Sequence, residues 1–149
     1  MVLPAREFIL DTLASILIGV VVGVIVGTYG VVFESLGELV ELVCVPHFRA
    51  ILGFIGFTVT GYALYKVTGG FRGSSTDYFV EVYNFMYGKL NSRYVLVYAA
   101  FALLTVVGGG SVGPGGPALI MGGFIAYLLA RKLRRTPLED RYFTLIGGA

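Results

Sequence analysis

Two short segments of this chain are suited to chemistry. Gly108-Gly109-Gly110-Ser111-Val112-Gly113-Pro114-Gly115-Gly116-Pro117 interrupts a long apolar stretch, and Gly73-Ser74-Ser75-Thr76-Asp77 precedes a short aromatic one. Each runs into a helix start, where first-turn N–H groups have no intrahelical partner and the helix dipole is positive. Such a terminus favours a negative ion. The second segment adds the hydroxyls of Ser74, Ser75 and Thr76. Two helix N-termini with donors and no side-chain cation suit a halide, which must be held weakly enough to leave again. Two plainer roles stay open. A glycine-rich break can serve tight packing alone, and Ser74 and Ser75 taken by themselves read as turn caps.

Other chemistries find little support. A phosphate loop needs Lys followed by Ser or Thr after its glycines, and Pro117-Ala118 stands there. Dinucleotide binding needs a soluble strand-turn-helix unit. No carboxylate pair, nucleophile–base set or metal-ligand cluster falls within the apolar stretches, so the reading is not an enzyme. His47 has no second ligand at metal spacing and reads as interfacial. Cys44 is the single cysteine and cannot form an intrachain disulfide. No cofactor, metal or nucleic acid is expected.

The elements that position these segments are set by composition. Only 13% of the 149 residues are charged and mean hydropathy is +0.84, values that point to a bilayer as solvent. No charge occurs from Thr12 to Phe33, from Ala50 to Tyr65, or from Tyr94 to Ala130. The first stretch alone, as a helix, covers roughly 33 Å at about 1.5 Å per residue, enough for a hydrocarbon core. It is longer than the apolar part of a signal peptide and continues into an amphipathic end with Glu34, Glu38 and Glu41.

The expected class is an all-α integral membrane protein of tilted and discontinuous or re-entrant helices, forming one membrane domain over 1–149. A first helix runs from about Arg6 to Val45 and is ended by Pro46. It carries Ser15, Gly19, Gly23 and Gly27 as a stripe for close helix packing. A second runs from about Arg49 to Val67, with Gly53, Gly56 and Gly61 on its surface, and stops at Gly69-Gly70. A short aromatic segment, Tyr78 to Tyr87, is capped by Asp77 or Thr76 and suits an interface or re-entrant position. A half-length helix from Tyr94 to Val107 meets the glycine break, and a new helix starts at Pro117. Ala118, Gly122, Ala126 and Ala130 form a second small-residue stripe. Thr136-Pro137-Leu138-Glu139 has the form of a capping box opening a last helix. Arg131, Lys132, Arg134 and Arg135 place their end of the chain in the cytoplasm by the positive-inside tendency.

Gly110-Ser111-Val112-Gly113-Pro114-Gly115-Gly116-Pro117 resembles the segment G-S-[VLI]-G-[RK]-E-G-P of the CLC family of chloride channels and chloride/proton antiporters. Gly73-Ser74 with Glu81 is similar to the family's G-S-G-I-P-E motif and the short helix after it. Thr136-Pro137-Leu138-Glu139-Asp140-Arg141 and Leu145-Ile146-Gly147-Gly148-Ala149 are similar to the next family helix. Order and spacing agree over roughly residues 10 to 149. The resemblance implies an anion-binding set of Ser74, Ser111, Gly113, Gly115 and Gly116. In it Ser74 donates its hydroxyl to a central anion, and N–H groups near Gly113, Gly115 and Gly116 line the outer pathway.

Three departures from the family pattern shape the expectation. Gly115 replaces the glutamate that gates the pore and passes protons, and Pro114 replaces the basic residue before it. Asp77 stands where the family has proline. The chain corresponds to most of the first of two inverted halves, so the expectation is that one copy does not enclose a pathway. The function expected is chloride or similar anion transport across a cell membrane, in an oligomer or with a complementary membrane chain, without the gating carboxylate. The alternative is a truncated or degenerate membrane fragment with a structural or interaction role.

Overall fold

The computed structural model describes residues 5–43, 45–70, 73–110, 112–133 and 137–149. These form six helices and no strand: α1 (Ala5–Val43), α2 (Pro46–Thr68), α3 (Ser75–Phe85), α4 (Ser92–Val107), α5 (Gly115–Lys132) and α6 (Pro137–Gly148). Cys44, Ser111, Arg134, Arg135 and Thr136 lie outside the described residues, and with them the expected Thr136 cap and part of the basic cluster.

α1 and α2 are long and apolar enough to cross a membrane, and only 11% of the most apolar window of each is buried. A core helix of a soluble protein would be mostly buried. Here Leu13, Leu17, Val20, Val24 and Val31 on α1, and Phe54, Val59 and Tyr62 on α2, stand exposed. That is the surface of a helix whose solvent is lipid. Several Ser and Thr hydroxyls on these helices are satisfied internally. Ser15 donates to the Asp11 carbonyl at 2.8 Å, Thr28 to Val24 at 2.7 Å, and Thr58 to Phe54 at 2.8 Å. A back-bonded hydroxyl has no donor left to expose to hydrocarbon.

Several boundaries differ from the sequence expectation, each for a local reason. Pro46 opens α2, ahead of the Arg49 expected, because proline lacks the N–H that a first helical residue cannot pair. α2 ends as expected at Gly69, whose φ of 71° is left-handed, and the N–H of Gly70 returns to the Tyr65 carbonyl at 3.1 Å. Ser74, not Asp77 or Thr76, is the N-cap of α3, and Asp77 is the reciprocal member of a capping box. Asn91 caps α4, its side chain accepting from the Arg93 N–H at 2.9 Å. α5 starts at Gly115 rather than Pro117. Proline is tolerated throughout a first turn, where no N–H finds an intrahelical acceptor.

α5 is the hub, touching α1, α3, α4 and α6. Its small-residue stripe packs as expected. A Cβ at Gly122 would collide with the Gly147 carbonyl oxygen of α6, while Ala126 and Ala130 are fully buried among Ile18, Val22 and Phe143. The α1 stripe does not pack. A Cβ at Gly19, Gly23 or Gly27 would meet nothing within 4 Å. α1 instead buries Ile18, Val22, Tyr29 and Phe33 against α4, α5 and α6, because these bulky side chains fill the space between helices. On α2, Gly53 and Gly56 approach the turn after α4. A Cβ on Gly53 would lie 3.1 Å from the Gly109 carbonyl oxygen, and one on Gly56 would lie 3.4 Å from the Gly108 Cα. Gly109 sits at φ 80°, where any side chain would be strained and would press on Arg49.

Candidate functional site

The turn after α2 and the break before α5 bring two helix starts to one cavity. Its volume is about 410 Å³, and its wall includes Gly73, Ser74, Ser75 and Thr76 from the start of α3 and Val112, Gly113, Gly116 and Pro117 from the start of α5. α2 contributes Phe57, Thr60, Gly61 and Leu64, and α4 contributes Tyr98, Phe101, Ala102 and Thr105. Among these described residues there is no Lys, Arg, His, Asp or Glu. Polarity comes from backbone N–H groups, hydroxyls and one phenol.

The two helix starts are fixed against each other from behind. Tyr78, Phe79 and Val82 of α3 share a buried cluster with Ile120 of α5 and with Val95 and Tyr98 of α4. At the front the approach is closer still, since a Cβ at Gly116 would collide with the Ser75 Oγ. A larger residue there would have to turn the Ser75 hydroxyl away from the first turn of α5. Tyr98 ties the preceding turn to α4 by donating to the Gly73 carbonyl at 3.2 Å, and its ring stacks on Tyr78 with centroids 6.1 Å apart. On the opposite wall Thr105 donates to the Phe101 carbonyl at 2.7 Å and lies 3.0 Å from the Thr60 hydroxyl.

The donors available at each start can be assigned. In α3 the Tyr78 N–H reaches the Ser74 carbonyl at 3.1 Å, and the Asp77 N–H is taken by the Ser74 Oγ at 3.2 Å. The N–H groups of Ser75 and Thr76 therefore face outward from the first turn. In α5 the Ala118 N–H reaches the Pro114 carbonyl at 2.9 Å, Pro117 has no N–H, and no side chain caps the start. That leaves the N–H groups of Gly115 and Gly116. Both dipoles add positive potential at this end of their helices.

Asp77 changes the balance. Its Oδ2 accepts from the Ser74 N–H and from the Ser74 hydroxyl, both at 2.8 Å. These two bonds, the backbone one first, hold its carboxyl below the ordinary 3.8. The left-handed φ of 71° at Gly73 belongs to the same turn. A Cβ there would fall 2.7 Å from the Asp77 Oδ2, so the backbone must be bare where the carboxylate folds back.

Of the residues expected to bind an anion, Ser74, Gly113 and Gly116 line this cavity together. Ser111 lies outside the described residues. Gly115 is exposed and lines a second cavity of about 580 Å³, beside Gly19, Gly23, Gly27 and Ala118. Sequence reading missed Tyr98, Thr60 and Thr105. Tyr98 and Thr105 stand two turns apart with only apolar residues between them, a spacing that puts both on one face of α4 and is legible in the sequence.

Residues 56–149 match the family model described as Voltage gated chloride channel. No curated protein and no solved structure matches the chain. The matched region takes in most of α2 and all of α3 to α6. It therefore contains both helix starts of the cavity, the aromatic cluster behind them and the close α5–α6 contact. With an all-helical fold among the described residues, two helices long and apolar enough to cross a membrane and a family match over most of its length, this chain is an integral membrane protein belonging to the voltage gated chloride channel (CLC) family.

Proposed function

We propose that this protein takes part in transporting chloride, or an anion of similar size, across a cell membrane, and that it does so without proton coupling through Gly115. The observation that carries this reading is the convergence of the α3 and α5 N-termini on one cavity whose described wall has no charged side chain. Outward N–H groups and hydroxyls replace part of an anion's hydration. Without a fixed cation the ion is free to leave, as a transport site requires. Among the described residues no group of three or more His, Cys, Asp or Glu stands together, and the role proposed is transport.

Ser74, Thr76 and Gly113 line the cavity and are exposed. Further helices, from a second copy or a complementary membrane chain, must cover that side before a pathway is closed. The test is chloride efflux from liposomes, with the chain alone and with a chain supplying the second half of the family's fold. Little flux alone and selective flux together is the expected result. An assembly that forms yet conducts nothing would replace this reading with a structural role. The open face of Gly19, Gly23 and Gly27 on α1 favours that second reading, since a smooth helix face serves packing against another membrane protein.

A further inference from the structure

Resting on that reading, we propose that Ser75, and not Ser74, presents its hydroxyl to the anion in this cavity. The Ser74 hydroxyl has one proton, and that proton points at the Asp77 carboxylate. Its oxygen also accepts from the Asp77 N–H. Ser74 is thereby fully engaged in holding the helix start, and a carboxylate stands beside it where an incoming anion would be repelled. Ser75 is not engaged in this way. It is 9% exposed, it lines the cavity, and its hydroxyl makes no hydrogen bond to any described residue. Its Oγ keeps access to the cavity, so its proton is free for a ligand there.

The position of Ser75 strengthens the case. Its Oγ lies against Gly116, at the seam where the first turns of α3 and α5 meet. An anion in the cavity at this seam would receive the Ser75 hydroxyl together with outward N–H groups from both helices. Thr76 flanks the seam, its Oγ1 lying 3.6 Å from a Cβ built on Gly116, but is exposed. The ligand class is a small monovalent anion, since the donors are all neutral and the apolar wall of Phe57, Leu64 and Phe101 disfavours a larger polyanion.

The experiment is titration of chloride into the full chain in lipid nanodiscs, in a gluconate background, read by calorimetry. Ser75→Ala should weaken chloride about tenfold or more, the effect of losing one hydrogen bond to a charged ligand. Ser75→Cys, similar in size and a weaker donor, should also weaken it, and covers the case in which the alanine variant fails to fold. Ser74→Gly should weaken chloride less than Ser75→Ala does, because the Ser74 proton is directed to Asp77 and not to the cavity. Far-UV circular dichroism should show the same helicity in each variant. A loss in Ser74→Gly equal to or larger than that in Ser75→Ala, with wild-type binding intact, would overturn this assignment and leave the anion site standing. Absence of chloride binding by the wild-type chain would overturn both.

Discussion

Substituting Gly122 and Gly23 by alanine should have opposite effects, although both belong to small-residue stripes with the same four-residue spacing. At Gly122 a Cβ would collide with the Gly147 carbonyl oxygen and lie 3.2 Å from the Val22 Cγ1. The first of these is backbone in the middle of a helix contact, so relief requires α6 to shift. Overpacking of this kind costs about 1–3 kcal/mol. At Gly23 nothing lies within 4 Å, and alanine gains only the helix propensity of about 1 kcal/mol that both sites share. The two variants should therefore differ by about 1–3 kcal/mol, with Gly122→Ala the less stable. Reversible unfolding in mixed micelles at increasing SDS fraction, followed by circular dichroism, measures the difference. Equal stabilities, or a more stable Gly122→Ala, would refute the close α5–α6 approach. A marked loss in Gly23→Ala would show that the α1 stripe meets a partner in the membrane.

The remaining predictions concern charge and placement. Gly115→Glu should fold normally, because a Cβ there meets nothing within 4 Å. Its carboxylate, at an uncapped helix start, should lower anion flux of the assembled protein at neutral pH, with partial recovery on acidification; unchanged flux from a folded variant would remove Gly115 from the pathway. The Asp77 carboxyl is held below 3.8 in the folded chain. Its contribution to the α3 start is accordingly complete above that value and fades as pH falls below it; Asp77→Asn should abolish this acid-dependent step in proteolysis of the Gly73–Asp77 turn, and persistence of the step would reject the capping argument. A cysteine at Thr136, in a Cys44→Ser background, should resist impermeant thiol reagents on sealed cells, whereas rapid labelling would reverse the topology. The chain should remain with membranes through high-salt and carbonate washing, and a folded monomer in the supernatant would end the membrane reading.

Much of the architecture was legible because hydrophobic length and glycine placement act locally. A run without charge from Thr12 to Phe33 has few stable solutions apart from a membrane helix. The helix break at Gly108–Pro114 and the stop at Gly69 follow from backbone freedom, which depends on the residue itself. The starts of α2, α3 and α5 were read less well, since several neighbouring residues can cap or open a helix and the winner depends on which side chain folds back. At α3, Ser74 and Asp77 cap together, an outcome settled by the pair rather than by either residue.

By itself, then, the sequence determined the solvent, the helical class, the two glycine-rich segments and the family pattern that joins them. These rest on composition and on local backbone chemistry. Only the tertiary structure decided which stripe is buried. Ala126 and Ala130 of α5 are at 0% exposure while Gly19 and Gly23 of α1 face open space, because a four-residue spacing marks a helix face without saying what covers it. The same holds for the site. Neighbouring serines have equivalent chemistry along the chain, but folding turns the Ser74 proton to Asp77 and sets Ser75 against Gly116. The direction of Ser74 is fixed by its capping partner within α3, and the setting of Ser75 by the approach of α5.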